Sequence, residues 1–242
     1  MKIERVYTGG WSNAVRGLRH PLESYKRSDS DFGVTRYDDL ILDKPKTVIV
    51  NYGNSAYEYV RLGNNDLDLM QRMIKAGSPN DKFLRQIFVS MDVTAPLYFF
   101  KEFDQYKVST TTNSTSTMHK LASTPITLDC FETDDYEKNL EVFPANGVES
   151  SFTTGQAFQS IIDYCEALRV KYNETQDKRY WKELIRLLPE SWLQTRMWSG
   201  NYAILRNIIH WRTGHRLTEW STFIDFLYDL PYADELLFFE NK

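Results

Sequence analysis

The sequence predicts an α+β fold, and three observations carry that reading. Two short runs rich in β-branched and apolar residues, Thr47 to Tyr52 and Ile87 to Val93, have the composition of strands. Behind Thr153, the residues Phe158, Ile161, Ile162, Cys165 and Leu168 recur at helical spacing. Further periodic apolar stretches, each stopped by Pro or Gly, fill the chain to its end, so the C-terminal half reads as helical. A chain of 242 residues can bury one substantial core, and no linker composition interrupts it, so residues 1–242 read as a single domain of sheet flanked by helices.

Taken in order, Ser24 to Asp39 is dense in mixed charge with Gly33 inside, which predicts a loop or edge region before the first strand. Gly53 and Asn54 supply the turn after it. Asp66 is placed to cap a helix carrying Leu67, Met70, Met73 and Ile74 on one face, ending at Gly77. After the second strand, Thr94-Ala95-Pro96 offers a cap and a first-turn proline for an aromatic helix through Leu97, Tyr98, Phe100 and Phe103. Ser109 to Thr117 is almost entirely Ser, Thr and Asn, residues that compete for backbone hydrogen bonds, and it reads as a loop. A polar connection through Pro125 and Pro144 leads to Thr153 and Gln156, which have capping-box spacing. Trp181 to Leu188 predicts a shorter helix stopped by Pro189, Asn201 to Arg212 another ending before Gly214, and Thr218 to Asp229 the last, before Pro231.

Composition narrows the function. A net charge of −4 argues against gripping a nucleic-acid backbone, which needs a surplus of Lys and Arg on one face. Only Cys130 and Cys165 are present, without C-x-x-C spacing, so neither a disulfide framework nor a zinc site is expected. Met1 to Arg5 leads into polar sequence with no signal-peptide core, and no later apolar run reaches membrane-spanning length. The expectation is a cytoplasmic protein with no membrane partner. The four histidines have no metal-ligand spacing, and neither a Gly-x-Gly-x-x-Gly loop nor a Gly-x-Ser-x-Gly elbow occurs. His119 and His210 lack a paired carboxylate in the sequence, so neither is assigned acid–base work.

Two constellations stand out. Lys101 to Lys107 runs into Asn113-Ser114-Thr115-Ser116, a set of hydroxyls and amides able to hold phosphate or ribose, although a solvated loop has the same composition. Asn201, Asn207, His210 and Arg212 lie on one helix beside the apolar Ile204, Leu205, Ile208 and Ile209. Arg212 has the planar donor fork that holds a phosphate or a pyrimidine carbonyl in two bonds, and it also sits where a cation merely complements a helix C-terminus. Trp192, Trp198, Trp211 and Trp220 can stack a ring ligand, but indoles at irregular spacing in a helical region more often belong to a core.

Leu187-Leu188-Pro189 followed by Asn201 through Arg212 is similar to the C-terminal motif of the flavin-dependent thymidylate synthases, with His215 to Trp220 standing where that family has a His-Ala-Gln-x-Glu stretch. Lys101 to Ser116 sits where the family carries its Arg-His-Arg, Ser, Asn-Glu, Ser, Arg signature. The resemblance covers Phe88 to Leu230, and residues 1–82 match weakly. It implies a homotetramer, FAD as cofactor, and methylation of the pyrimidine nucleotide dUMP with methylenetetrahydrofolate. By the same matching, Arg212 would polarise the uracil and count as catalytic. Asn207, Lys107 and Gln105 would face the flavin, and Asn113, Ser114, Ser116 and Asn201 the substrate. No metal is implied.

The sequence also departs from the family. Gln105-Tyr106-Lys107 replaces Arg-His-Arg, Ser114 replaces the Glu, Met118 replaces the phosphate-holding Arg, Ala203 stands at a usually basic position, and Phe83 stands about where an upstream flavin-binding His is expected. Charge-assisted contacts of that kind are worth about 1.5 to 3 kcal/mol each. Two readings therefore remain open: a divergent enzyme acting on a pyrimidine deoxynucleotide, or an inactive nucleotide-binding or interaction protein on the same fold.

Overall fold

The computed structural model describes residues 1–36, 48–52, 56–142 and 151–240, and mixes helix and sheet as expected. The chain runs β1 (Lys2–Gly9), α1 (Trp11–Arg19), β2 (Asp31–Thr35), β3 (Val48–Tyr52), β4 (Tyr57–Arg61), α2 (Asn64–Ala76), β5 (Phe88–Pro96), α3 (Leu97–Phe103), β6 (Thr111–Ser114), α4 (Thr117–Lys120), β7 (Glu141–Val142), β8 (Phe152–Thr153), α5 (Thr154–Thr175), α6 (Lys178–Leu187), β9 (Leu193–Asn201), α7 (Tyr202–Arg212) and α8 (Thr218–Leu227). The expectations placed on Thr47, Gly53, Asn54, Pro144 and the end of the Ser24 to Asp39 segment, and on the side chain of His119, lie outside the described residues. Strands order as β1-β5-β9-β6 in a four-stranded sheet and β2-β4-β3 in a three-stranded one, with β7 and β8 a small pair. In β5, Val89, Met91 and Val93 are buried on alternate positions, the period of a strand with one face in a core.

The chain divides into two compact units. One comprises Met1–Lys2, Thr94–Phe103 and Ser114–Arg196; the other comprises Ile3–Val93, Asp104–Asn113 and Met197–Lys242. The first unit is built on the α5 and α6 pair. Ile162, Cys165 and Leu168 of α5 and Leu184 of α6 are buried with Leu121, Ile126 and Phe131, and Phe158 and Trp192 pack against them. The expected capping box forms: Thr153 Oγ1 accepts from the Gln156 N–H at 3.1 Å and Gln156 Oε1 accepts from the Thr153 N–H at 3.1 Å.

The core of the second unit includes Trp11, Ala14 and Val15 of α1, Met70 and Ile74 of α2, and Tyr202, Leu205 and Ile208 of α7. Trp11 meets Tyr202 edge-on, with ring centroids 5.3 Å apart. The C-terminal segment is tied down by Arg206, whose Nη1 donates to the carbonyls of Leu236, Leu237 and Phe239 at 2.6, 2.9 and 2.9 Å. These carbonyls belong to or follow a π-helical turn at Ala233–Leu237, whose irregular backbone needs such donors. Burial lowers the Arg206 pKa, with Asp81 and Glu240 acting in the opposite direction.

Four local expectations are corrected. α2 begins at Asn64, and its opening N–H groups are capped from outside the helix: Asp29 accepts from Asn65 at 3.0 Å and from Asp66 at 3.2 Å. Asp66 is therefore released for another task. Thr94-Ala95-Pro96 ends β5 rather than opening a helix, because the first N–H groups of α3, at Leu97 and Tyr98, donate to the carbonyls of Trp192 and Glu190 and need no side-chain cap. Part of the Ser/Thr/Asn segment is the strand β6, where β-branched threonines suit the pleat. Finally, the helical C-terminal half is interrupted by β9, nine residues that pair within the four-stranded sheet.

Candidate functional site

The side chains that converge around Arg212 all belong to the second unit. α7 is started by Asn201, whose Oδ1 accepts the Ile204 N–H at 3.1 Å, and it buries Ile204, Leu205, Ile208 and Ile209. That burial fixes the rotation of the helix and leaves Arg212, in the last turn, half-buried at the edge of the core. Gly214, at φ +75°, turns the chain out of the helix in a left-handed conformation, and the following α8 presents Trp220.

The guanidinium of Arg212 lies over two rings, 4.8 Å from the Trp220 centroid and 5.5 Å from that of Tyr106. Its Nε donates to Tyr106 Oη at 2.8 Å, and its Nη2 donates to Gln105 Oε1 at 3.3 Å. Trp220 is fully buried and meets Tyr106 edge-on at 6.0 Å, so the arginine rests on a rigid aromatic base. His215 completes the group, its ring 6.3 Å from Trp220 and its Nδ1 accepting the Leu217 N–H at 3.2 Å. Tyr106 is in turn anchored through its backbone carbonyl, which accepts from Thr110 Oγ1 at 2.6 Å. An arginine held this way presents a planar donor group in a fixed orientation, the geometry that recognises a carbonyl or an anion in two bonds.

Of the residues expected to form a site, Arg212 and Gln105 are in direct contact. Lys107 follows them in the chain and is exposed. Asn207 is exposed on α7, while Asn201 is 5% exposed with its side-chain oxygen committed to the helix cap. Asn113 is exposed on β6 and belongs to the same unit as Arg212. Ser114 and Ser116, the first exposed and the second half-buried, belong to the other unit, where Thr115 is fixed to Thr195 by a backbone bond of 2.9 Å. Sequence reasoning missed the roles of Tyr106 and Trp220. Tyr106 stood out only as a departure from the family motif, and Trp220 only as one indole among four, of which Trp198 is also buried while Trp211 is 68% exposed.

A separate concavity of about 470 Å³ opens in the same unit beside α1 and α2, lined by Leu18, His20, Met73, Lys82, Phe83 and Gln86 among others. Its volume falls in the range of about 300 to 1,000 Å³ usual for small-molecule sites. Phe83, singled out in the sequence, is buried in its wall.

Among the described residues no group of His, Cys, Asp and Glu is arranged to hold a metal ion, and no helix is long and apolar enough to cross a membrane. Burial pushes the Cys165 thiol up, away from the reactive thiolate.

No family model and no curated protein matches the chain. Solved structures do. The crystal structure of the flavin-dependent thymidylate synthase ThyX from Helicobacter pylori complexed with FAD and dUMP superposes with a TM-score of 0.62 at 16% identity, covering 100% of this chain and 99% of that one. A second structure of ThyX from the same organism, with FAD and dUMP at 2.31 Å resolution, gives a TM-score of 0.62 at 18% identity, covering 100% and 98%. At that identity the likeness establishes a shared fold.

Proposed function

We propose that this protein binds a pyrimidine deoxynucleotide on a thymidylate synthase-like fold, with Arg212 as the group that faces the base. The observation that carries the reading is the arginine held by Gln105 and Tyr106 against Trp220, at the position matching the arginine of the family motif. Solved proteins of the same fold hold FAD and dUMP. Asn207, Lys107 and Asn113, in the same unit as Arg212, are proposed to add polar contacts to the ligand. As in the sequence reading, the full domain, a homotetramer and a cytoplasmic location go with this proposal.

FAD is the cofactor the fold implies, and the donor set fits it only in part. Asn207 and Lys107 are exposed and suit ribose or ring contacts. Its pyrophosphate needs cations, and Gln105-Tyr106-Lys107 supplies one where the family motif has three basic residues. Gln105 and Tyr106 also turn their oxygens to Arg212. The residues do not fit the dinucleotide as the family motif does, so no chemical step is derived through the flavin. That observation favours a second reading, in which the protein binds nucleotide without methylating dUMP with FAD and methylenetetrahydrofolate.

The test is paired. Purified protein is incubated with FAD, desalted and examined by visible absorption, and dUMP is titrated against it by calorimetry. Heat from dUMP with a colourless protein supports binding without redox work, and a retained flavin spectrum justifies assaying methylation. No heat from dUMP, with or without FAD, overturns the proposal.

A further inference from the structure

We propose that the small cavity against α1 is an anion site that takes a phosphoryl group, separate from the nucleotide contacts proposed around Arg212. The cavity, about 150 Å³, is lined by Ser12, Arg16, Arg19, Tyr25 and Ser28, with Val15 and Phe32 as its apolar walls. Among the described residues no carboxylate lines it. Two guanidinium groups and the Ser12 hydroxyl at one small space are donors suited to the oxygens of an anion, while the Ser28 hydroxyl is engaged by Asp66 and the Tyr25 hydroxyl by His20.

Arg19 is the unusual member. It is 5% exposed, and its Nε donates to Asp66 Oδ1 at 2.7 Å. Its Nη2 also lies 2.7 Å from that oxygen, in an ion pair, and is buried without a hydrogen bond of its own. The other oxygen of Asp66 accepts from the Ser28 and Ser30 hydroxyls, both at 2.7 Å, and from the backbone N–H groups of Asp29 and Ser30, both at 3.1 Å. The carboxylate thus cancels the charge of Arg19 while bonding only one of its donors, Nε. A buried donor left without an acceptor is costly, and an anion seated in the adjoining cavity would let the guanidinium turn and satisfy it.

Arg16, which forms no ion pair among the described residues, supplies a second charge. It is exposed, and its guanidinium is held 4.9 Å over the Tyr25 ring, which fixes a flexible side chain at the cavity. Tyr25 is itself positioned by His20, whose Nδ1 lies 2.5 Å from its hydroxyl. Size selects the ligand: the cavity is well under the range of about 300 to 1,000 Å³ that encloses a whole small molecule, so it admits a phosphate or the phosphoryl end of a larger compound.

The experiment is calorimetric titration of the full chain at low ionic strength with inorganic phosphate, with glycerol phosphate and with glycerol. Saturable heat is expected from the first two and none from glycerol. Binding of phosphate alone identifies the free ion as the ligand, and binding of glycerol phosphate identifies a phosphomonoester. Arg16→Gln, at an exposed position, is expected to weaken binding at least tenfold, and Ser12→Glu, which sets a carboxylate at the cavity, to abolish it. Arg212→Ala is expected to leave it unchanged. The proposal is overturned if neither phosphate compound gives saturable heat at millimolar concentration, if Arg16→Gln and Ser12→Glu bind as the wild type does, or if Arg212→Ala removes the signal.

Discussion

Replacing Asp66 by asparagine keeps the shape of the side chain and removes its charge, which isolates what the carboxylate contributes. Asp66 is fully buried and faces Arg19, which is 5% exposed, so the variant leaves a buried guanidinium without its counter-ion. Breaking such a pair from one side costs about 3 to 5 kcal/mol. The amide also sets an N–H2 group where Ser28, Ser30 and two backbone N–H groups now donate to an oxygen, although its remaining oxygen still serves part of that set. The low end is therefore expected, and at about 2 to 4 °C per kcal/mol for a chain of this size it becomes a fall in Tm of about 6 to 12 °C. Scanning calorimetry near neutral pH measures it. The pH dependence gives an independent reading. Burial alone would raise the Asp66 pKa, but hydrogen bonds from Ser30, Ser28 and Arg19 and the charge of Arg19 outweigh it and hold the carboxyl below its ordinary 3.8. A depressed folded-state pKa means stabilisation that is complete above the unfolded value and lost as pH falls through the lower folded one. The gap in Tm between wild type and Asp66→Asn should thus stay constant from neutral pH to above 3.8 and close in stronger acid. A fall in Tm of less than about 2 °C, or a gap that widens on acidification, would refute the account of this cluster.

Two further outcomes are expected. Arg212→Lys retains the charge but loses the planar fork shared with Tyr106 and Gln105, so if Arg212 faces the base, dUMP affinity measured by calorimetry should fall about tenfold, the equivalent of about 1.4 kcal/mol, while Tm stays nearly constant. Asn201→Ala removes the cap that accepts the Ile204 N–H and should lower unfolding free energy by about 0.5 to 2 kcal/mol in denaturant titration, with an unchanged m-value.

What could be read in the sequence was whatever depends on neighbours along the chain. The capping box at Thr153 and Gln156 and the Asn201 start of α7 are local patterns and form as read, and the apolar stripe of α5 forms through Phe158, Ile162, Cys165 and Leu168, with Ile161 exposed beside it. The misread segments depend on distant partners. β9 carries Gln194, Thr195 and Arg196 amid few consecutive apolar residues, and only pairing in the sheet makes it a strand. Asp66 has the composition of a helix cap, but Asp29, remote in sequence, takes that task and frees Asp66 for Arg19. The same division runs through the candidate site. Arg212 was visible because its spacing from Asn201 and Asn207 is a property of one helix, whereas the aromatic base beneath it joins Tyr106 to Trp220 across more than a hundred residues of chain. Tyr106 bears most directly on function, because a tyrosine that binds the arginine occupies the position where the family motif has a basic residue. The substitution that weakens the case for FAD is therefore the one that fixes Arg212 in place, and the recognition of a base proposed for that arginine does not depend on dinucleotide binding.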